Sequence, residues 1–395
     1  MPDHFQRAWQ LHQDGDLHGA IEEYRAGLRL DTNNVGAHHY LGLALEGTGD
    51  LHGAIAEYRA ALRIDPDYAP AHNDLGTALG KTGDLEGAIA EFRAALRILP
   101  NHPAMHSNLG FALWKRGDVD EAIAECQAAL RINPNLATAH NNLGLALGRK
   151  GDAEGAIAEF RIALRINPNL AEAHGNLGIL LRMRGDLESA IAALRASLHI
   201  DPYHAETHAN LGIALLDKGA LEGAITEFRA ALRINPNFAS AHSNLGLALG
   251  TKGDTEGAIA EFQAALRINP RHVAAHNNLA EVLTEKGDLE GAIAEYRTAL
   301  QIDPNLAETH RNLAFALSKQ GDLGGALLEY RAALCIKPND DIAHGNLGIL
   351  LRRKGDLESA IAEFRAALRI NPDDSRASEN LKLALEEKER SGRYS

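Results

Sequence analysis

Apolar and small residues recur along the chain with the spacing of amphipathic helices. Within residues 171–204, Leu177 and Leu181 lie on one stripe, and Ala190, Leu194 and Leu198 lie on a second. Apolar residues at i, i+3 and i+4 predict a helix that buries one face and exposes the other. This segment therefore predicts two amphipathic helices in succession.

The same pattern returns every 34 residues. Prolines mark the period, at positions 66, 100, 134, 168, 202, 236, 270, 304, 338 and 372. The period divides residues 1–374 into eleven repeats, followed by a remainder, residues 375–395. A fixed period of this length predicts a repeat architecture rather than a globular core. Positions within each repeat are numbered 1 to 34 below, and the repeats start at residues 1, 35, 69, 103, 137, 171, 205, 239, 273, 307 and 341.

Each helix boundary has its own residue type. Glycine occupies repeat position 15 in all eleven repeats, where the chain must reverse direction, and aspartate follows it in ten, with Ala220 as the exception. Glycine adopts a left-handed turn at low cost, and aspartate is a good helix N-cap. Proline then ends the second helix. Asn169 and Glu172 have the spacing of a capping box for the next helix.

These residues resemble the tetratricopeptide repeat (TPR) family, whose pattern is W-x2-L-G-x2-Y, then A-x3-F, then P. The resemblance implies an all-α, right-handed α-solenoid of eleven helix-turn-helix repeats over residues 1–374, whose first helices form a concave wall. Residues 375–395 then form a capping helix and tail. The matching residues in one repeat are Leu143, Gly144, Ala156, Phe160 and Pro168, with His140 and Leu147 in the Trp and Tyr places.

Among TPR proteins, the repeats look most like those of the nucleocytoplasmic O-linked N-acetylglucosamine transferases, which share the motif AHxNLG. No segment outside the repeats is long enough for a transferase domain, so the resemblance does not extend to that activity. No GxxxxGK[ST], HExxH or GxSxG motif occurs either. We therefore expect no enzymatic activity and no cofactor.

Charge and composition narrow the choice of partners. The formal net charge is −13, which disfavours nucleic acid, because phosphate binding depends on clustered lysine and arginine. No stretch approaches the roughly 20 apolar residues of a membrane span, and the N-terminus lacks the apolar run of a signal peptide. Two isolated cysteines, Cys126 and Cys335, indicate a reducing compartment. The expectation is a cytoplasmic protein that contacts neither membrane nor nucleic acid.

Histidine occupies repeat position 4 in every repeat, as His140 does in the fifth. Equivalent positions on stacked helices lie roughly 8–10 Å apart, whereas one ion needs ligands at about 2 Å. This series is therefore predicted to be structural, between the helices, and no metal site is expected.

Asparagine at repeat position 6 is the most informative departure from good helix formers. We expect these side chains to project toward the concave side and to bind the backbone of an extended polypeptide, as the asparagine ladder of the similar transferases does. A carboxamide can pair with a peptide group whatever its side chain. The alternative is a hydrogen bond that ties each helix to its neighbour. The residues are Asn108, Asn142, Asn176, Asn210, Asn244, Asn278, Asn312 and Asn346.

Specificity is expected from the variable positions 5, 9, 12 and 13 on the same side. The candidates are Phe111, Trp114, Arg182, Arg311, Phe315 and Arg352. A second series of lysines and arginines ends each first helix, such as Lys150, Lys252 and Lys286, and either complements the helix dipole or contacts a ligand.

Together these features predict a non-enzymatic scaffold or adaptor that binds extended peptide segments in its concave groove. Two alternatives remain open. One is a regulatory or substrate-delivering subunit of a separately encoded enzyme, such as a glycosyltransferase. The other is a structural protein that self-associates through the ends of its solenoid.

Overall fold

The computed structural model describes residues 4–392, which form 23 α-helices and, within that range, no strand. They divide into two compact units, one ending at Pro202 and the other beginning at Tyr203. In both units a first and a second helix alternate within each 34-residue repeat. The all-helical solenoid arrangement of paired helices expected from the 34-residue period is confirmed.

The first unit contains twelve helices, which pair as six repeats. They are α1 (His4–Gln13), α2 (Leu17–Leu30), α3 (Val35–Gly47), α4 (Leu51–Ile64), α5 (Ala69–Thr82), α6 (Leu85–Ile98), α7 (Pro103–Arg116), α8 (Val119–Ile132), α9 (Ala137–Lys150), α10 (Ala153–Ile166), α11 (Ala171–Met183) and α12 (Leu187–Ile200).

The second unit contains five further pairs and a final helix. They are α13 (Ala205–Asp217), α14 (Leu221–Ile234), α15 (Ala239–Lys252), α16 (Thr255–Ile268), α17 (Val273–Lys286), α18 (Leu289–Ile302), α19 (Ala307–Gln320), α20 (Leu323–Ile336), α21 (Asp341–Arg353), α22 (Leu357–Ile370) and α23 (Ser375–Gly392). Helix α23 packs on α22 and α21 where a twelfth first helix would lie, and it buries Ala384 completely. The end of the predicted tail, residues 393–395, lies outside the described residues.

The turn between the two helices of a repeat is formed by glycine and aspartate. All eleven glycines at position 15 have φ between +80° and +110°, a range that other residues rarely adopt. In nine repeats the next aspartate accepts a hydrogen bond from the backbone N–H three residues later, as Asp152 does from Gly155 at 2.9 Å. Asp118 does not cap its helix, because its carboxylate pairs with Arg116.

The expected capping box is wrong. Leu170, rather than Asn169, is the N-cap of α11, and it makes no side-chain capping bond. The backbone N–H of Asn169 instead donates to the carboxamide oxygen of Asn167 at 3.1 Å, two residues back, in a local turn.

The core of each repeat lies where its two helices cross. In the fifth repeat, Phe160 is only 1% exposed, and a Cβ placed on Gly144 would come within 2.7 Å of its ring. The small residue at position 8 therefore admits the large ring at position 24. Alanine at position 20, such as Ala156, is fully buried between the helices. This close packing leaves the remaining faces of the first helices for the next repeat and for solvent.

Candidate functional site

The asparagines at repeat position 6 are half-buried on the first helices, at the boundary with the preceding repeat. The amide nitrogen of Asn108 donates to the side-chain oxygen of Asn73 at 3.0 Å. Asn176 donates in the same way to Asn141 at 3.2 Å. Position 6 of one repeat thus contacts position 5 of the repeat before it.

Two other members of this series also contact the preceding repeat. Asn142 donates to the hydroxyl of Ser107 at 3.0 Å and to its carbonyl at 3.2 Å. Asn312 hydrogen-bonds to the buried hydroxyl of Tyr296. Ties between neighbouring helices are therefore present, and each bond uses only part of a carboxamide that has two N–H donors and an oxygen acceptor. The structure places the other predicted members at the same half-buried position, namely Asn210, Asn244, Asn278 and Asn346.

Two of the predicted specificity residues come together on α7. The rings of Phe111 and Trp114 stack with their centroids 5.6 Å apart, and Lys115 lies 5.0 Å from the centroid of the Phe111 ring. The indole nitrogen of Trp114 is buried without a hydrogen-bond partner. Phe111 and Asn108 both line a pocket between α5 and α7. The structure thus brings a predicted backbone-binding residue and a predicted specificity residue to one place.

The other specificity candidates have varied surroundings. Phe315 is 40% exposed on α19, with Lys319 4.8 Å from its ring centroid. Arg311 is held by the buried carboxylate of Asp340 at 3.0 Å and by Glu308 at 2.8 Å.

Arg352 is half-buried and contacts Glu387 at 3.5 Å, and Arg182 is also half-buried. A partner would meet the exposed ring of Phe315 more readily than the guanidinium of Arg311, which already has two carboxylates.

The histidines at position 4 lie between a carboxylate and a carbonyl oxygen. In the fifth repeat, His140 contacts Glu159 through Nδ1 at 2.5 Å and the carbonyl oxygen of Pro134 through Nε2 at 3.0 Å. Ten repeats have this glutamate contact, at 2.5–2.7 Å. In the sixth repeat, Ala193 replaces the glutamate.

This contact explains why histidine recurs at position 4. The hydrogen bond from His4 holds the pKa of Glu23 below its ordinary value. Sequence reasoning placed the histidines between the helices but missed the glutamate, whose signal is its recurrence nineteen residues later.

The basic series at the ends of the first helices also has partners that the sequence reasoning missed. Lys150 pairs with Asp120 at 2.8 Å, and Lys286 pairs with Glu256 at 2.6 Å. In both cases position 14 of one repeat reaches position 18 of the preceding one, so the signal is an acidic residue thirty positions earlier. These cations bridge neighbouring repeats and are partly neutralised there.

Other chemistry is limited in the described part of the chain. Within residues 4–392 no group of three or more histidine, cysteine, aspartate or glutamate side chains is arranged to hold a metal ion. None of the described helices is long and apolar enough to cross a membrane. Burial raises the pKa of the Cys126 thiol to about 12, an effect that the neighbouring Glu125 reinforces, so this thiol packs as a small apolar group.

Comparison with known families identifies the repeats. Models of the tetratricopeptide repeat match residues 10–49, 48–83, 73–137, 141–205, 214–253, 248–287, 280–321 and 317–382. Together these matches cover nearly the whole chain. The chain belongs to the tetratricopeptide repeat family, whose members are protein-interaction scaffolds.

Several solved structures are similar to this chain at low identity. The APC/C hetero-tetramer Cut9–Hcn1 is 16% identical over 96% of this chain and 95% of that chain, with a TM-score of 0.51. Pseudomonas aeruginosa pilF is 22% identical over 53% of this chain and 95% of that chain, with a TM-score of 0.49. Yeast Tom70 is 15% identical over 98% and 95%, with a TM-score of 0.46. A comparison with curated proteins finds no match.

Proposed function

We propose that this protein is a non-enzymatic scaffold that binds extended segments of other proteins along the face formed by its first helices. The observation that carries the proposal is the position of Asn108. Its carboxamide is oriented by the bond to Asn73, yet it lines an open pocket beside Phe111. An oriented polar group beside exposed apolar surface is what recognition of a peptide backbone and its side chains requires.

The repeat spacing suits an extended ligand. Neighbouring helices pack roughly 8–10 Å apart, and an extended or polyproline-like chain advances about 3.1–3.4 Å per residue. Each repeat would then meet about every third ligand residue, and its asparagine would contact backbone rather than side chain. The likeness to the transferase repeats bears on this proposal only through these asparagines. A reducing, cytoplasmic setting remains our prediction from the two separate cysteines.

Site-specific photocrosslinking tests the proposal. A photoreactive phenylalanine analogue replaces Leu247, which is 42% exposed at position 9 of a first helix. The matched control replaces Leu328, which is 66% exposed on the second helix α20. We expect crosslinks to client peptides from position 247 and none from position 328. Crosslinks confined to position 328 would move the binding surface to the second helices and overturn the proposal.

The same crosslinking experiment tests the asparagines. Asn244→Ala combined with Asn278→Ala should weaken crosslinking to many clients at once, since each lost backbone hydrogen bond contributes on the order of 0.5–1.5 kcal/mol. Unchanged crosslinking with a large fall in Tm would assign these asparagines to helix stapling alone.

A further inference from the structure

A pocket of about 150 Å³ opens on the first-helix face between α5 and α7. Its floor is the buried ring of Phe92, with Leu85 beside it, and Phe111 forms one wall. Lys81 and Lys115 also line it. Apolar cavities of this size accommodate a group as large as benzene. The pocket therefore has the size and lining of a site for one apolar side chain.

The pocket exists because two small residues, Gly80 and Ala112, face each other across the repeat boundary. Glycine occupies position 12 of a first helix three times, at Gly80, Gly148 and Gly250. Above Gly148, the methyl groups of Leu180 from the next repeat lie 3.8 and 3.9 Å from where a Cβ would be. Above Gly250, a methyl group of Val282 lies at 3.9 Å.

At Gly80 the equivalent residue of the next repeat is Ala112, whose methyl group does not reach this space. A Cβ on Gly80 would have only the methyl group of Ala88, at 3.8 Å, within 4 Å. Two repeat boundaries of the same chain thus fill this space with a branched aliphatic side chain, and the third leaves it open. The shape that fits the opening is that of leucine or valine.

Charge at the rim of the pocket indicates what accompanies that side chain. Three of the five cations at position 13, namely Lys81, Arg149 and Arg353, bond to position 12 of the preceding repeat. Lys81 reaches the carboxylate of Glu46 at 2.8 Å, and Arg149 reaches the carbonyl of Trp114 at 2.6 Å. For Lys115 the corresponding residue is Gly80, which has no side chain. The ammonium group of Lys115 lies instead over the Phe111 ring and is exposed at the rim of the pocket.

We propose that this pocket receives a leucine side chain from an acidic segment of a partner protein, with a flanking carboxylate bound by Lys115. The proposal rests on the scaffold function above and names the chemistry of one ligand position. The Leu180 contact at the equivalent place supports leucine, and the exposed ammonium group supports the acidic neighbour. Lys81 contributes less, because Glu46 already neutralises it.

The test uses blocked pentapeptides and the full-length protein. The probe is Ser-Asp-Leu-Asp-Ser, compared with the same peptide carrying Ala for Leu and with one carrying Lys for both Asp residues. Binding is followed by NMR through the indole N–H of Trp114, which stacks on Phe111, with the indole of Trp9 as internal reference. We expect the leucine peptide to bind about tenfold more tightly than the alanine peptide. Equal affinities would overturn the proposal.

Variants locate the site. Ala112→Leu should fill the pocket from within and abolish the preference for leucine. Gly80→Ala is the second variant, for the case that Ala112→Leu fails to fold. Its added methyl group makes only an ordinary contact with Ala88, and it should also reduce the preference for leucine. Lys115→Gln should weaken the acidic peptide about two- to fivefold at low salt, whereas Lys319→Gln, which removes the other lysine over a phenylalanine, should not. Retained leucine preference in a folded Ala112→Leu variant would place binding elsewhere.

Three outcomes separate this proposal from the scaffold function. Normal crosslinking at position 247 with no leucine preference at Trp114 would overturn the pocket assignment and leave the scaffold function standing. Crosslinking confined to position 328 would remove the scaffold function on which the assignment rests. Self-association in sedimentation experiments that Ala112→Leu abolishes would show that a second copy fills the pocket, which would overturn the assignment to a partner protein.

Discussion

Two repeat boundaries carry the same phenylalanine–lysine pair but differ in the residues of the preceding repeat. Phe111 and Lys115 on α7 follow a repeat with Gly76 and Gly80 at positions 8 and 12, and Phe315 and Lys319 on α19 follow a repeat with Ala280 and Thr284 there. The first boundary contains the pocket. The comparison shows that the same phenylalanine–lysine pair occurs beside glycine at one boundary and beside alanine and threonine at the other.

At the second boundary, called the filled boundary below because a buried threonine side chain occupies position 12, polar contacts accompany the packing. Thr284 is only 7% exposed, and its hydroxyl donates to the carbonyl of Ala280 at 2.7 Å. Thr284 and Asn312 also hydrogen-bond to the hydroxyl of Tyr296, whose burial raises its pKa to about 12. At the open boundary the ring equivalent to Tyr296 is Phe92, which has no hydroxyl. Glycine and phenylalanine at one boundary thus replace threonine and tyrosine at the other.

The floor of the pocket provides the largest expected effect. Phe92→Ala removes a ring that is 4% exposed and should lower the free energy of unfolding by about 3–5 kcal/mol. Urea denaturation followed by circular dichroism measures it. Phe111→Ala, at the half-buried wall, is the control and should cost clearly less. Equal costs would mean that the wall belongs to the core and is not available to a ligand.

The tyrosine hydroxyl at the filled boundary provides the next effect. Tyr296→Phe leaves the side chains of Thr284 and Asn312 without that partner and should cost about 0.5–1.5 kcal/mol, measured as a lower Tm. The reciprocal variant Phe92→Tyr adds a hydroxyl to the open boundary and should weaken the leucine peptide. Unchanged peptide binding in Phe92→Tyr would argue that this ring is not the floor of the ligand site.

Glycine at position 12 provides a smaller effect, in the stabilising direction. Gly80→Ala should raise the free energy of unfolding by about 0.4–1 kcal/mol, because alanine is the better helix former and its Cβ meets no close atom. Gly148→Ala is the matched control, with contacts of 3.7–3.9 Å. Both should raise Tm, and only Gly80→Ala should reduce leucine binding. A fall in Tm for Gly80→Ala alone would show that the open boundary is more closely packed than its contacts indicate.

The smallest effect is electrostatic and lies near the filled boundary. Burial raises the pKa of Glu281, and the carboxylates of Glu285 and Glu308 raise it further, against an opposing effect of Arg311. A carboxylic acid whose pKa is raised by folding ionises less readily in the folded state than in the unfolded state. Above that raised pKa, its ionised form therefore destabilises the fold. Its effect vanishes below the ordinary value of 4.5. Glu281→Gln should therefore raise Tm slightly at pH 7.

The control for this effect is pH itself. The difference in Tm between Glu281→Gln and the unchanged protein should shrink as the pH falls and should disappear near pH 4. A difference that stays constant with pH would trace the gain to packing of the amide and not to the removed charge.

Much of the fold could be predicted from sequence because its determinants are local. Glycine at position 15 forms the turn in all eleven repeats, and aspartate at position 16 caps the next helix in nine of them. The predicted capping box at Asn169 is wrong because another local contact competes with it. Asn167 lies two residues before Asn169 and engages its backbone N–H first, and a competing short-range bond of this kind is hard to rank from spacing alone.

The candidate site was predictable only in part. Repeat position 6 stands out because its asparagine recurs, and Phe111 and Trp114 stand out because they depart from the repeat pattern. Partners across a repeat boundary do not stand out, since they lie 30 or 35 residues apart. The contact of Arg352 with Glu387, which engages a predicted specificity residue, is of this kind.

By itself, the sequence determined the helices, their turns and their pairing within each repeat. The tertiary structure decided which faces remain open. Gly80 is unremarkable in a helix, and Ala112 is an ordinary core residue, yet together they leave a pocket that Leu180 and Val282 close at two other boundaries. Such a site arises from a deficit of volume between two helices, and volume across an interface depends on both surfaces at once.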